Sequence, residues 1–210
     1  MAFLSADISH RSKHHRCAGF TLIELMVATF LSLTVITTVS TLFITTQKQA
    51  LIRHQKTLLA KSLDNVISEI AREVRRAGYT SDLGQKLTLI GTENTFELSD
   101  NTLTFAYQLS ASGERFSARL ISYKADTKKK KLKICHRTIA DREKLTQGTC
   151  RVYYSVFDER NIALTDYDFK LDSAFLNDER SLLRISLSAE IKNQPGINMS
   201  RTVEVVPRNQ

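Results

Sequence analysis

The sequence predicts an α+β protein, a long N-terminal helix packed on a mostly antiparallel β-sheet head. Three observations carry that prediction. An apolar block from Phe20 to Ile44 holds a single charged residue, Glu24. The stretch from Gln47 to Ala77 has neither Gly nor Pro and spaces its apolar residues three and four apart. Beyond Gly78 the apolar period falls to two.

Residues 1–19 are polar, with His10, His14 and His15 among Arg11, Lys13 and Arg16. Nothing there can build a core, so the segment reads as a cytoplasmic leader. No partner ligands follow the histidines at fixed spacing, which argues for a solvated tract over a metal site.

The block Phe20–Ile44 would span about 37 Å as a helix, enough to cross the hydrocarbon of a bilayer. Its interspersed Ser and Thr hydroxyls can bond to carbonyls one turn earlier, which makes them tolerable in lipid. A secretory signal peptide would have a shorter apolar core followed by small residues at a cleavage site. Here helix-forming residues continue, so 20–46 reads as a retained transmembrane half. Charge does not orient it: Arg11, Lys13 and Arg16 precede the span, and Lys48, Arg53 and Lys56 follow it.

Residues 47–77 read as an amphipathic second half. Leu59, Leu63, Val66, Ile67, Ile70, Val74 and Ala77 form one apolar stripe, with Lys61, Asp64, Glu69, Arg72, Glu73 and Arg76 on other positions. Gly78 stands where a helix commonly stops. A single helix from Phe20 to Ala77 would be about 87 Å long.

Residues 78–210 read as the β-rich head. Leu103, Phe105, Tyr107 and Leu109 alternate with polar residues, as do Leu183, Ile185, Leu187, Ala189 and Ile191. Shorter pieces are Ile121/Tyr123, Leu132/Ile134, Phe169/Leu171 and Val203/Val205. Turn signals lie at Ser99-Asp100-Asn101 and Asn193-Gln194-Pro195-Gly196. One face of the sheet is expected to pack on the helical stripe.

The formal charge of +8 raises nucleic acid as a partner, but the charge is dispersed. The segment 47–77 is net +4, whereas 78–210 is only +3. The densest basic run, Lys128–Lys131 with Lys133, reads as a solvated hairpin tip; DNA contact there is the sharper alternative. Asp166, Asp168 and Asp172 share a strand face without the Gly-containing loop of a calcium site. No serine elbow, HExxH or phosphate loop is present, and His54 and His136 read as surface residues. Neither a catalytic group, a metal nor a cofactor is expected.

Of the three cysteines, Cys17 precedes the proposed cleavage point, leaving Cys135 and Cys150 as a pair. In a strand-rich region that pair suits a disulfide in an oxidising compartment, which would place the C-terminal domain outside the cytoplasm. Two unpaired, partly buried thiols are the alternative. Two cysteines and His136 do not make the paired ligand clusters of a zinc site.

The string Gly19-Phe20-Thr21-Leu22-Ile23-Glu24-Leu25 carries the functional reading. A small residue before an aromatic one, at the edge of a bilayer-length segment, gives a membrane protease access to the backbone. Cleavage between Gly19 and Phe20 leaves Phe20 with a new α-amine and Glu24 as the fifth mature residue. A carboxylate in that segment costs energy unless paired. The α-amine of Phe20 on a neighbouring copy is the partner that neutralises both charges and fixes axial register. An unpaired Glu24 snorkelling to the interface is the alternative.

This string resembles the type IV prepilin processing and methylation motif. The run Glu69-Ile70-Ala71-Arg72-Glu73-Val74-Arg75-Arg76-Ala77-Gly78-Tyr79 is similar to the helix end of minor pilins of the PilW/PpdB kind. The resemblance implies cleavage after Gly19 by a prepilin peptidase, N-methylation of Phe20, and a role for Glu24 in assembly. It also implies an inner-membrane span, a periplasmic head and later residence in a pilus. The implied partners are other minor pilins, the major pilin and the inner-membrane assembly platform. The implied function is to prime or cap a type IV pilus. Alternatives are a pseudopilin of a type II secretion system and a DNA-contacting competence subunit.

Overall fold

The apolar block and the amphipathic stretch form one continuous helix, α1 (Leu22–Val74). The computed structural model describes residues 19–209 apart from 82–84, 93, 100, 111–113 and 176–177. By its contacts the chain divides into two compact units, residues 1–50 and 51–210. The leader, with Cys17 and its histidines, lies outside the described residues.

In the first unit α1 is long and apolar enough to cross a membrane, and Phe30, Leu33, Ile36, Leu42 and Phe43 are all exposed. Its hydroxyls turn inward to the backbone. Ser32 Oγ donates to the Ala28 carbonyl at 2.7 Å, and Thr38 and Thr45 do the same toward Thr34 and Thr41, each at 2.8 Å. Each such bond removes a polar group that lipid could not satisfy.

In the second unit the helical stripe is the floor of the core. Leu59, Leu63, Ile70, Val74 and Ala77 are fully buried, and Val66 and Ile67 nearly so. α1 closes three residues before Ala77. The chain then tightens through Arg76 N–H to Glu73 O and Ala77 N–H to Val74 O, both 3.0 Å. Gly78 takes φ +77° and donates its N–H to Ala106 rather than back to the helix. Only a residue without a Cβ enters that left-handed conformation freely, so the helix stop is also the entry to the sheet.

Two antiparallel sheets follow rather than one. The first has the order β1 (Phe96–Ser99), β2 (Thr102–Gln108), β3 (Ala118–Asp126), β4 (Lys131–Ile139), β5 (Tyr154–Ser155). The second is a meander of β6 (Ile162–Phe175), β7 (Asp178–Ile191) and β8 (Gln194–Val205). The expected turn at Asn193–Gly196 shortens to Lys192–Asn193, and Gln194, Pro195 and Gly196 enter β8. Pro195 is tolerated because β8 is an edge strand whose outer side requires no donor.

Phe105 and Tyr123 of the first sheet and Leu183, Ile185 and Leu187 of the second join the α1 stripe in one apolar cluster. The other face of the first sheet is covered as well. Leu87 and Leu89, Ala106, Ala118, Leu120, Cys135, Leu145 and Cys150 make a second cluster there. Every residue of β2 is therefore buried. Thr104 and Ser122, facing this second cluster, bond to each other at 2.9 Å, and Ser122 also bonds the Tyr153 hydroxyl at 3.0 Å.

Candidate assembly site

Gly19 and Phe20 precede α1, and Phe20 is 87% exposed. A Cβ built on Gly19 would meet nothing within 4 Å, so the peptide bond is open on that side. Thr21 caps the helix. Its N–H and its hydroxyl each donate to Glu24 Oε2 at 2.9 Å, and Glu24 N–H donates back to Thr21 Oγ1 at 3.3 Å. This reciprocal arrangement is a capping box. The T-x-x-E spacing of Thr21 and Glu24 is the sequence signal for this cap.

The cap divides the carboxylate. Oε2 is used by the chain's own helix start, while Oε1 makes no hydrogen bond among the described residues. Glu24 shares one face of α1 with Ile23, Val27, Ala28 and Leu31. The acid is thus oriented by its own backbone, with one oxygen unbonded among the described residues.

In the second unit Cys135 of β4 is disulfide-bonded to Cys150, with Cα atoms 5.9 Å apart. The bond pins the loop 140–150 over the second apolar cluster. The lysine run lies on the β3–β4 turn and the start of β4, and much of it is ion-paired. Lys130 meets Glu190 and Lys133 meets Asp126, both at 3.1 Å, and Lys131 meets Glu159. Asp126 also accepts the Lys129 N–H at 3.0 Å, and that bond holds its carboxyl below the usual range. Asp168 pairs with Lys170 at 2.9 Å; Asp166 is exposed. No group of three or more His, Cys, Asp or Glu suited to a metal occurs among the described residues.

Residues 53–207, most of the chain, match the family model described as prepilin peptidase-dependent protein B. The chain belongs to this family. Residues 14–40, which contain Gly19, Phe20 and Glu24, match the prokaryotic N-terminal methylation motif. No curated protein and no solved structure matches the chain. The two matches, with a membrane-length helix running into a sheeted unit, make this PpdB-family chain a type IV minor-pilin-like protein. Pilin-family domains are structural rather than enzymatic. The family implies partners of the pilus and prepilin-peptidase kind, and the helix fits a membrane-anchored pilin.

Proposed function

We propose that this PpdB-family pilin primes or caps type IV pilus assembly and carries out no catalysis of its own. A prepilin peptidase cuts between Gly19 and Phe20, and Phe20 is N-methylated. The processed helix waits in the inner membrane with the β-rich unit in the periplasm. It then packs beside other pilins, with its Phe20 amine against Glu24 of the adjacent copy. Helix packing in lipid supplies much of the attraction, and the ion pair fixes the step between copies.

The half-occupied carboxylate is the observation that supports this reading. Glu24 is held by Thr21 through Oε2, which leaves Oε1 oriented and without a partner among the described residues. Once helices pack around it in lipid, an acid in that state gains strongly from an incoming ammonium.

Mass spectrometry of the N-terminus in extracellular fibres tests the proposal. N-methyl-Phe20 is expected as the first residue. Fibres containing this chain with residues 1–19 still attached would overturn it.

A further inference from the structure

At the C-terminal end of α1 the second unit has an open cleft of about 650 Å³ lined by four arginines, Arg72, Arg75, Arg76 and Arg208. We propose that this cleft binds a carboxylate-bearing peptide segment, flanked by apolar residues, from another protein subunit. The proposal rests on the reading of this chain as an assembly subunit and adds a second contact point remote in sequence from Glu24.

The four cations arrive by two routes. Arg72 lies in the last turn of α1, and Arg75 and Arg76 lie in the tightening turn that follows it. Arg208 comes from the far end of the chain, where its N–H donates to the Arg75 carbonyl at 3.4 Å. Asn209 Nδ2 donates to the Ala77 carbonyl at 3.5 Å beside it. The two segments are thus joined at the cleft.

Their charge is poorly compensated. Arg76 stands over the Tyr107 ring, 5.8 Å from its centroid. Arg72, Arg75 and Arg208 form no ion pair among the described residues. The helix end contributes about half a negative charge, and Glu73 contributes one more. Together these offset less than half of the four positive charges. An anion entering the cleft relieves part of the remaining repulsion.

The rest of the lining identifies the anion. Tyr107 is 3% exposed and lines the cleft beside Arg76, and its hydroxyl meets no hydrogen-bond geometry among the described residues. Tyr79 and Leu109 stand beside the arginines, each 47% exposed. Guanidinium forks match carboxylate bidentately. Arginine and tyrosine together are the residues enriched in protein-binding hot spots. A nucleic-acid strand would ask for successive exposed rings on which to stack bases. The cleft offers Tyr79 and, next to it, an aliphatic side chain.

The test uses full-length protein in detergent micelles at low ionic strength, titrated into a fluorescent peptide Leu-Glu-Asp-Phe-Glu-Leu and its Gln/Asn counterpart. Anisotropy is expected to show the acidic peptide binding at least about tenfold tighter than the neutral one. Arg75→Gln combined with Arg208→Gln should remove about that much affinity, with an unchanged far-ultraviolet spectrum. Tyr79→Ala should weaken binding while leaving all four cations in place. Equal binding of the two peptides, or parental affinity in the double variant, would overturn the proposal. So would an oligothymidine that binds more tightly than the acidic peptide and is lost in the same variant. None of these outcomes depends on the N-terminus, so a failure here with N-methyl-Phe20 intact rejects the cleft and leaves the assembly reading standing.

Discussion

Gly78 approaches Thr95 so closely that a Cβ built on it would lie 2.5 Å from Thr95 Cγ2, and equally 2.5 Å from the Asn209 carbonyl oxygen. Its φ of +77° adds left-handed strain to any side chain placed there. Gly78→Ala is therefore expected to cost roughly 2–4 kcal/mol, strain and overpacking together. Gly91 has φ +85° but open space around it. Gly91→Ala should cost only the conformational part, about 1 kcal/mol. Urea unfolding followed by circular dichroism checks both, and equal midpoints for the two variants would contradict the steric account.

The bond between Cys135 and Cys150, 15 residues apart, closes the loop over the second apolar cluster. Cys135→Ser with Cys150→Ser should lower stability by about 3 kcal/mol in the chain-entropy model. Reductant should lower the urea midpoint of the parent protein and leave the double variant unmoved. Both sulfurs belong to buried residues, so reduction should be slow until denaturant opens the unit.

Glu24 has a local duty at the helix start and a proposed one between copies, and three substitutions separate them. Glu24→Val should permit membrane insertion and N-terminal processing but abolish incorporation into fibres. Glu24→Gln keeps a hydrogen-bond acceptor for Thr21 yet loses the charge, so it should fail in assembly too. Thr21→Ala removes the cap, worth about 1 kcal/mol, and should still assemble. Electron microscopy of fibres with mass spectrometry of the N-terminus provides the readout. Normal incorporation of the Gln variant would discount the ion pair.

Acid should loosen the β-rich unit through three aspartates. Asp126, Asp141 and Asp158 each accept a backbone N–H, from Lys129, Glu143 and Arg160, and these bonds hold their carboxyls below the ordinary 3.8. A carboxyl depressed in the folded state favours folding above its unfolded value and loses that contribution as pH falls through its folded value. Stability is therefore expected to be flat near neutrality and to decline below about pH 4. Asp126→Asn should flatten part of that decline in urea midpoints measured from pH 6 to pH 2.

Much of this was written in the chain. The stripe from Leu59 to Val74 is buried residue by residue because helical periodicity is a local property that packing had no reason to override. Leu183, Ile185, Leu187 and Ala189 are buried for the same reason at period two. The second apolar cluster was not legible. Beside Leu120 and Ile139 on strands it holds Ala106, Ala118 and the cysteines, small residues that read as neutral, and Leu87, Leu89 and Leu145 in loops, where no period exists to betray them. Leu109 fits the alternation of β2 but falls just past its end and remains half exposed. The arginine cleft was equally hidden, since Arg208 meets Arg75 only after the chain has folded.

Ile197 and Val205 of β8 complete the same cluster that begins at Leu59, and Arg201 reaches Asp64 at 2.7 Å. Two segments more than 130 residues apart, at Asp64 and Arg201, thus close one core together. Removing β8 would take Ile197 and Val205 out of that cluster and leave Asp64 without Arg201, so one edge of the apolar floor would open to water.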